Sequence, residues 1–282
     1  MSSVSVIIPV FNRAHSVGLA IDSALAQVSA GDQISVIVVD DGSSDDLVTA
    51  LSPYGDRIRM LRHERNAGAA AARNTGVASA TGDYVAFLDS DDVWLPNKIA
   101  RQLADMRRNK WRASCTAFYL RQRSTREGIS PKLASGSLDL SDLVWGCFVS
   151  PGSTLMFERP VFDEIGPLDQ QLGRLEDWDW LLRYAQRHRL GFLAEPLARI
   201  EVSVHKNPGV ILAALEAMRV KHSPDLDQAT ARHFAAALAW EAAAAYYRAG
   251  QLGPALGASL RSLSLAPFNN RAMRAVLHNK FG

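Results

Sequence analysis

Two short apolar runs near the N-terminus place the strongest constraint on the fold of this 282-residue chain. The runs VSVIIPV (4–10) and ISVIVVD (34–40) are rich in Val and Ile and almost continuously hydrophobic. Such runs are typical of strands buried on both faces of a parallel sheet. Between the two runs, apolar side chains recur at helical spacing, at Val17, Ala20, Ile21, Ala24 and Leu25. The sequence therefore predicts a strand, helix, strand unit.

The alternation of strand and helix patterns continues through the first hundred residues. RIRMLRH (57–63) and DYVAFLD (83–89) are further strand candidates, with a helical segment, AGAAAARNTGVASA (67–80), between them. In the less regular second half, the pattern predicts strands in ASCTAFYL (113–120), GSTLMFE (152–158) and LARIEVSVH (197–205), and a helix in DWDWLLRYAQRH (177–188). The predicted fold class is α/β, with an open, doubly wound, mostly parallel central sheet.

After about residue 208 the composition changes to an Ala-rich helical pattern. The segment AALAWEAAAAYYRAGQLGPALGASLRSLSLAP predicts two helices around a Gly-containing turn, and it resembles a tetratricopeptide-type hairpin. Because one such hairpin needs neighbours to bury its faces, a helical cap on the preceding domain is an equally good interpretation. We expect a domain over residues 1–207, with halves at 1–112 and 113–207, and a helical C-terminal extension over residues 208–282.

Composition argues against several classes of protein. The formal net charge of +2 gives no support for a nucleic-acid partner, and the two cysteines, Cys115 and Cys147, supply neither a disulfide framework nor a zinc site. No segment approaches the roughly 20 apolar residues that a membrane-spanning helix needs. The N-terminus also lacks a signal-peptide pattern. We expect a cytoplasmic protein, and the sequence leaves peripheral contact with the inner face of the membrane open.

Polar residues follow each of the first four predicted strands. They lie in PVFNR (9–13), DDGSSD (40–45), RHERNAG (62–68) and DSDD (89–92). In open α/β sheets, ligands bind beyond the carboxyl ends of the strands, so we expect the binding site at these four turns. The first turn has no G-x-G-x-x-G pattern, and the chain has no G-x-x-x-x-G-K-[ST] phosphate loop, which disfavours NAD or FAD as the ligand.

The DSDD turn concentrates three carboxylates, Asp89, Asp91 and Asp92, directly after a buried strand. Such a cluster repels itself unless a cation neutralises it. A hard divalent ion that also binds the phosphates of a ligand meets that need. Asp92 has a simpler alternative role as the N-cap of the following helix. The DDGSSD turn is similarly ambiguous, because Asp, Gly and Ser also form ordinary turns.

Four motifs taken together resemble the family 2 glycosyltransferases, the large inverting group with the GT-A fold. The motifs are VSVIIPVFNR, VIVVDDGSSD, RNAGAAAARNTGVASATGDYVAFLDSDD and LEDWDWLLR. The resemblance covers about residues 3–205, and the helical extension lies outside it. It implies that residues 1–112 bind a nucleotide sugar and that residues 113–207 bind the acceptor.

The resemblance implies a donor site at the ends of the first four strands. The residues that it places at the nucleotide are Pro9, Phe11, Arg13, Asp40, Asp41, Gly68, Arg73, Asp89 and Ser90. Asp41, supported by Asp40, would contact the base or the ribose, and Arg73 would contact the base or the diphosphate. Asp89 would face the ribose, while Asp91 of the D-x-D motif would hold Mn²⁺ or Mg²⁺ on the diphosphate.

The second half supplies the expected base and the acceptor site. The E-D motif in EDWDW (176–180) implies that Asp177 deprotonates the acceptor hydroxyl, with Asp179 as the rival base. Acceptor contacts are expected from Glu176, Trp178 and Asp179, with Trp180 as a further platform. The alternative is that these residues only cap and pack their helix.

His205 in RIEVSVHKNPG matches the place where a family histidine approaches the metal or the diphosphate. Lys206 and Arg199 are the alternative partners of the diphosphate.

The implied reaction is a metal-dependent, inverting transfer from a sugar nucleotide, expected to be a UDP-sugar, to a hydroxyl of a glycan or lipid-linked acceptor. The sequence offers no Ser-His-Asp or activated Cys arrangement for a covalent intermediate. A sugar nucleotidyltransferase is a second interpretation, although it should show a Gly-rich loop with Arg and Lys after the first strand. A third is a non-catalytic sugar-nucleotide-binding protein whose C-terminal helices bind a protein partner.

Overall fold

The structure is a computed structural model, and it describes residues 2–27, 31–121, 127–201 and 207–266. The strands are β1 Ser3–Val10, β2 Gln33–Asp40, β3 Ile58–Arg62, β4 Tyr84–Phe87, β5 Val93–Trp94, β6 Ala113–Arg121, β7 Glu127–Ser130, β8 Gly136–Leu138, β9 Met156–Glu158 and β10 Leu190–Glu201. The helices are α1 Val17–Leu25, α2 Leu47–Leu51, α3 Ala69–Ser79, α4 Lys98–Asn109, α5 Leu140–Leu143, α6 Pro151–Thr154, α7 Arg159–Ile165, α8 Glu176–Ala185, α9 Gly209–His222, α10 Gln228–Arg248 and α11 Leu252–Leu265.

These strands form one mixed sheet with the order β3-β2-β1-β4-β9-β6-β10-β5, to which β7 and β8 add at β6 and β10. The first four strands in this order are mutually parallel. Strand β9 is antiparallel to both β4 and β6, and β10 is parallel to β6. Six strands, β3, β2, β1, β4, β6 and β10, therefore run in one direction, which confirms the predicted α/β fold with a mostly parallel central sheet.

Strand β1 shows how the sequence covers both faces of this sheet. Val4, Val6 and Ile8 pack in one hydrophobic cluster with residues of α1 and α4, whereas Ile7 packs in a second cluster with residues of α3. All four side chains are at most 1% exposed. A strand buried on both faces reads as a continuous apolar run, which is why VSVIIPV lacks the alternation of a half-exposed strand.

The two predicted halves share this sheet, because β4 of the first half pairs with β9 of the second. The prediction of a single strand over residues 152–158 is wrong, since the helical turn α6 precedes β9. The strand predicted at residues 197–205 is the end of the longer strand β10, which begins at Leu190. Its last positions, 202–205, lie outside the described residues.

The C-terminal helices α10 and α11 form the predicted hairpin, with Gly250 at a φ of 75° in the connecting turn. They do not stand apart from the sheet domain. Met218 of α9 and Phe234 of α10 belong to the same hydrophobic cluster as Trp178 of α8, and the ring of His233 stacks on Trp145 at a centroid distance of 4.6 Å. These contacts favour the helical cap over an independent repeat unit.

Candidate functional site

An open cleft of about 660 Å³ lies at the ends of β1, β2 and β4, beside the N-terminus of α8. Sequence-predicted residues that line it are Pro9, Phe11, Arg13, Asp41, Gly68, Arg73, Asp89, Ser90, Asp91, Glu176 and Asp177. We call the lining residues at the strand ends (9–11, 13, 41, 68 and 89–91) the strand wall, and residues 173–177 the helix wall. The tertiary structure thus joins motifs that are up to 168 residues apart, from Pro9 to Asp177, in one site.

The loop after β1 is held in place by the loop after β2. The side-chain carbonyl of Asn12 accepts a hydrogen bond from the backbone N–H of Ser44 at 2.8 Å, and the N–H of Asn12 donates to Ser43 Oγ at 3.0 Å. Asn12 has a φ of 52°, a left-handed conformation that Asn tolerates better than most residues. This anchoring leaves the neighbouring Phe11 ring on the strand wall, where it is 44% exposed.

The acidic pair after β2 mainly positions other loops. Asp41 accepts hydrogen bonds from the backbone N–H groups of Ala67 at 2.9 Å and Gly68 at 2.8 Å, and its carboxylate lies 2.7 Å from His63 Nδ1. Gly68 has a φ of 93°, which a residue with a Cβ adopts only under strain. Asp41 therefore fixes the turn that brings the Gly68 backbone to the cleft.

Asp40 does not line the cleft. Its side chain is fully buried and accepts a hydrogen bond from the N–H of Ser43 at 2.8 Å, and Arg62 Nε lies 3.4 Å from the other carboxylate oxygen. The expected direct contact of Asp40 with the nucleotide is therefore wrong, because its carboxylate is turned into the loop that it stabilises.

The DSDD turn divides its carboxylates between the cleft and the protein interior. Asp89 and Asp91 are half-buried and line the cleft, whereas Asp92 is buried. Asp92 accepts hydrogen bonds from Ser153 Oγ and from the N–H of Glu201, the latter at 2.8 Å. The N-cap position of α4 is occupied by Asn97, so the alternative of Asp92 as a helix cap is wrong. Asp92 instead ties the turn to β10.

Asp91 lies where an approaching cation would be attracted. Burial, and then the neighbouring Asp89, raises the pKa of Asp91, and Arg13 Nη2 lies 3.3 Å from its carboxylate. Within the described ranges no group of three or more His, Cys, Asp or Glu side chains could enclose a metal. Two carboxylates still suit Mg²⁺ or Mn²⁺, because such ions keep waters and take their other ligands from substrate phosphates. The expected metal contact of His205, like the alternative Lys206, lies outside the described residues.

Arg73 connects the two walls of the cleft. Its guanidinium donates from Nη1 to Glu176 Oε1 and from Nη2 to Asp89 Oδ1, each at 2.6 Å. Burial by itself lowers the pKa of Arg73, but the carboxylates of Asp89, Glu176 and Asp177 outweigh it and hold this pKa above its ordinary value. Both outer nitrogens are therefore already paired, and Arg73 acts first as the residue that positions the carboxylates around it.

Asp177 is a half-buried carboxylate on the helix wall. Burial, and then the adjacent Glu176, raises the pKa of Asp177 to about 6. Its Oδ1 accepts a hydrogen bond from the N–H of Trp178 at 2.7 Å, and the thiol of Cys147 donates to the same oxygen at 3.8 Å. A carboxylate with a pKa near neutrality is suited to general base catalysis.

The expected acceptor contacts of Trp178 and Asp179 are wrong. Trp178 is fully buried, and its indole N–H donates to the backbone carbonyl of Leu143 at 2.8 Å. Asp179 is also fully buried and forms ion pairs with Arg183, Lys221 and His222. Only the first two residues of EDWDW face the cleft, because the next turn of α8 packs against α9 and the core.

Trp180 is likewise buried, and its indole N–H donates to the carbonyl of Gly166 at 3.0 Å. Arg199, the alternative diphosphate partner, does not line the cleft and lies with its guanidinium 5.9 Å from the centre of the Tyr119 ring. Neither residue is positioned to contact a ligand in the cleft.

Sequence reasoning missed Asn66, Cys147, Ser150 and Arg174, which also line the cleft. Asn66 lies in the quoted RHERNAG turn but is not singled out there, whereas no motif marks the other three, which come from loops whose course the sequence pattern does not fix. Backbone conformation gives one signal that only the structure contains. Ser150 and Leu175 adopt left-handed conformations, with φ values of 47° and 68°, and strained residues of this kind cluster at functional sites.

None of the helices within the described residues combines the length and the hydrophobicity needed to cross a lipid bilayer.

Comparison with known proteins identifies relatives and a common fold. The chain is 31% identical over 210 residues to an uncharacterized glycosyltransferase of Rickettsia conorii; the match covers 72% of this chain but only 33% of the relative. Over 107 residues, the chain is 41% identical to the UDP-Glc:alpha-D-GlcNAc-diphosphoundecaprenol beta-1,3-glucosyltransferase WfgD of Escherichia coli; this match covers 38% of this chain and 42% of that protein.

Two solved structures share the fold at lower identity. S. aureus TarS in complex with UDP superposes with a TM-score of 0.69 at 16% identity, over 92% of this chain and 90% of that chain. Mannosyltransferase PcManGT from Pyrobaculum calidifontis, in complex with GDP-Man and Mn²⁺, superposes with a TM-score of 0.60 at 20% identity, over 98% of this chain and 78% of that chain. The model of the family "Glycosyl transferase family 2" matches residues 5–166. Together with the GT-A fold, this match shows that the chain belongs to glycosyl transferase family 2.

Proposed function

We propose that the protein transfers a sugar, with inversion, from a nucleotide diphosphate sugar to a hydroxyl of a lipid-linked saccharide. The observation that carries this proposal is the joining of Asp89 and Asp91 with Asp177 in one cleft. An inverting transfer needs a site for the leaving diphosphate and a base for the incoming hydroxyl, and it needs no covalent nucleophile. In this proposal the strand wall holds the diphosphate and the helix wall supplies the base.

The strand wall is the proposed donor site. Phe11 offers an exposed aromatic face on which a nucleobase can stack. Gly68 allows close approach of the backbone to the nucleotide, since it lacks a side chain. The expectation of UDP as the nucleotide draws support from the solved complexes of S. aureus TarS with UDP and with UDP-GlcNAc, and from the UDP-Glc donor in the name of WfgD.

Asp89 and Asp91 would hold the divalent cation of this donor site. When bound, such an ion stabilises the negative charge of a departing nucleotide diphosphate. The Mn²⁺ in the complex of PcManGT supports a divalent ion in this fold. Arg13, now 3.3 Å from Asp91, is close enough to contribute a second positive charge to the same diphosphate.

Asp177 is the proposed base. Its pKa of about 6 leaves the carboxylate ionised at neutral pH while keeping it more basic than an ordinary Asp. Arg73 keeps the adjacent Glu176 paired, so that Asp177 is the carboxylate on the helix wall without a strong ion pair. As the acceptor oxygen attacks the anomeric carbon and the nucleotide diphosphate leaves, the hydroxyl proton passes to Asp177.

Assay of the purified protein tests this function. A panel of UDP-, GDP- and dTDP-sugars is incubated with Mn²⁺ and a synthetic GlcNAc-α-diphospho-alkyl acceptor, and release of the nucleotide diphosphate is measured. We expect release that requires both acceptor and cation, and a product with inverted anomeric configuration by NMR.

Asp177→Asn should lose about 10²–10⁴-fold in turnover, because this is the typical contribution of a general base, yet still bind UDP. A variant with near-normal turnover would show that another group is the base. Formation of pyrophosphate from a sugar phosphate and UTP would instead identify a nucleotidyltransferase.

A further inference from the structure

Three arginines line the cleft, and two of them have carboxylate partners. Arg13 pairs with Asp91, and Arg73 pairs with Asp89 and Glu176. Arg174 is half-exposed on the helix wall, and within the part of the chain that the structure describes it makes no hydrogen bond or ion pair. Among the three cleft arginines, it is thus the one without a carboxylate partner in the described ranges.

The backbone around Arg174 is fixed on both sides. A Cβ at Gly173 would lie 3.1 Å from Val210 Cγ1 of α9, so this position packs closely against the C-terminal helices. Leu175 occupies the N-cap position of α8 in a left-handed conformation, and its side chain packs on the hydrophobic core. Arg174 therefore lies on the cleft between a position close to α9 and the start of α8, three residues before Asp177.

The charges of the helix wall indicate which kind of ligand needs this arginine. Glu176 and Asp177 both face the cleft there, and they would repel an approaching phosphate. A guanidinium beside them offsets this repulsion and can bind two phosphate oxygens at once. The donor diphosphate is assigned to Asp91 and its cation on the strand wall, so an anion on the helix wall belongs to the molecule that brings its hydroxyl to Asp177.

We propose that Arg174 is an anion-binding residue of the helix wall that receives a phosphate group of the acceptor. The proposal rests on the function proposed above and adds the acceptor class to it, a saccharide linked through a phosphate or diphosphate. Arg174 is then a specificity-determining residue, because it selects such acceptors over glycans that carry no phosphate.

Calorimetric titration with two matched probes tests this assignment without requiring turnover. One probe is GlcNAc-α-diphospho-decane, the other is the decyl α-glycoside of GlcNAc, and both are added to full-length protein with Mn²⁺ and saturating UDP. We expect wild-type protein to prefer the diphosphate probe by about tenfold or more, as a charge-assisted hydrogen bond allows. Arg174→Gln should remove this preference, Arg174→Lys should restore part of it, and UDP affinity should stay within about twofold in both variants.

Arg101→Ala is the matched control, since Arg101 is an exposed arginine paired with Glu195 away from the cleft. It should leave all affinities unchanged, and thermal unfolding of each variant shows that the fold is intact. Equal binding of the two probes by wild-type protein would overturn the proposed role of Arg174 but would leave the proposed transfer reaction standing. Loss of UDP affinity in Arg174→Gln with an unchanged probe preference would overturn it too, by assigning the arginine to the donor. Binding of UDP but of neither probe would reject the acceptor class as well.

Discussion

The guanidinium of Arg73 is shared between Glu176 and Asp89, with a distance of 2.6 Å to each carboxylate. Glu176 begins α8 and Asp89 follows β4, so one side chain joins the helix wall to the strand wall. Arg73 is only 4% exposed, which makes these ion pairs far less screened by solvent than surface pairs. The geometry of the site therefore depends on an arginine that the sequence motif assigns to the nucleotide.

Replacing Arg73 by Met should damage both stability and the titration of the base. The buried Glu176 and the half-buried Asp89 would both lose their partner, and breaking a buried pair typically costs about 3 kcal/mol. Because Arg73 also lowers the pKa of Asp177, that pKa should rise and activity should fall at a higher pH than in wild-type protein. Urea unfolding and a pH-rate profile measure the two effects. Arg101→Ala is the control, and an Arg73→Met protein with unchanged stability would contradict the bridging role.

The pH dependence of transfer should report Asp177. Burial and Glu176 raise the folded pKa of this carboxyl to about 6, and the ionised form is the base. The value of kcat/KM for the acceptor should therefore rise with pH through about 6 and level off above it, falling about tenfold per pH unit on the acid side. The profile is measured at saturating donor between pH 4.5 and 8.5. An acid limb centred near pH 4 would show that an unperturbed carboxylate is the base.

Replacing Asp179 by Asn should reduce stability without removing the base. His222 at 2.9 Å, Arg183 and Lys221 lower the pKa of Asp179 to about 2 in spite of its burial. Because the folded pKa lies below the unfolded one, this carboxylate stabilises the protein above about pH 4, and that contribution is lost as the pH falls toward 2. At pH 7 the variant should lose about 3 kcal/mol in urea unfolding, since Arg183 and Lys221 lose their buried carboxylate partner.

The same variant separates the two candidate bases. Where it is folded, Asp179→Asn should retain kcat within about tenfold of wild type, whereas Asp177→Asn should retain stability and lose turnover. The reverse pattern, a stable Asp179→Asn protein without activity, would make Asp179 the base.

Gly152→Ala should displace the carboxylate of Asp89. A Cβ at this position would lie 2.6 Å from Asp89 Oδ2, which is closer than real Cβ atoms approach other atoms, and 3.1 Å from Arg73 Nη2, which is a tight contact. The carboxylate must move, and we expect affinity for UDP and Mn²⁺ to fall about tenfold, equivalent to about 1.4 kcal/mol. Isothermal titration measures the loss. Gly257→Ala in α11 is the control, because a Cβ there meets no atom within 4 Å. Equal affinities for the two variants would contradict the close approach.

The sequence by itself predicted the mostly parallel central sheet, its first four strands and the polar turns that follow them. These features depend on the local hydrophobic pattern and on composition. A continuous apolar run predicts a strand covered on both faces, and the polar residues that follow it must lie at the carboxyl end of that strand. The D-x-D turn could be placed at the expected site because it directly follows a buried strand, whereas only the resemblance to family 2 glycosyltransferases placed the start of the E-D helix there.

Only the tertiary structure decided which of several adjacent residues faces the cleft. Asp91 and Asp92 are neighbours in the chain, but Asp92 is turned inward by a hydrogen bond from Glu201, which lies 109 positions further on. Asp179 is removed from the site by His222, at a separation of 43 residues. These partners lie on distant elements, and a local sequence pattern does not predict how such elements pack. Adjacent carboxylates are therefore alike in sequence, and tertiary contacts decide which of them faces the cleft.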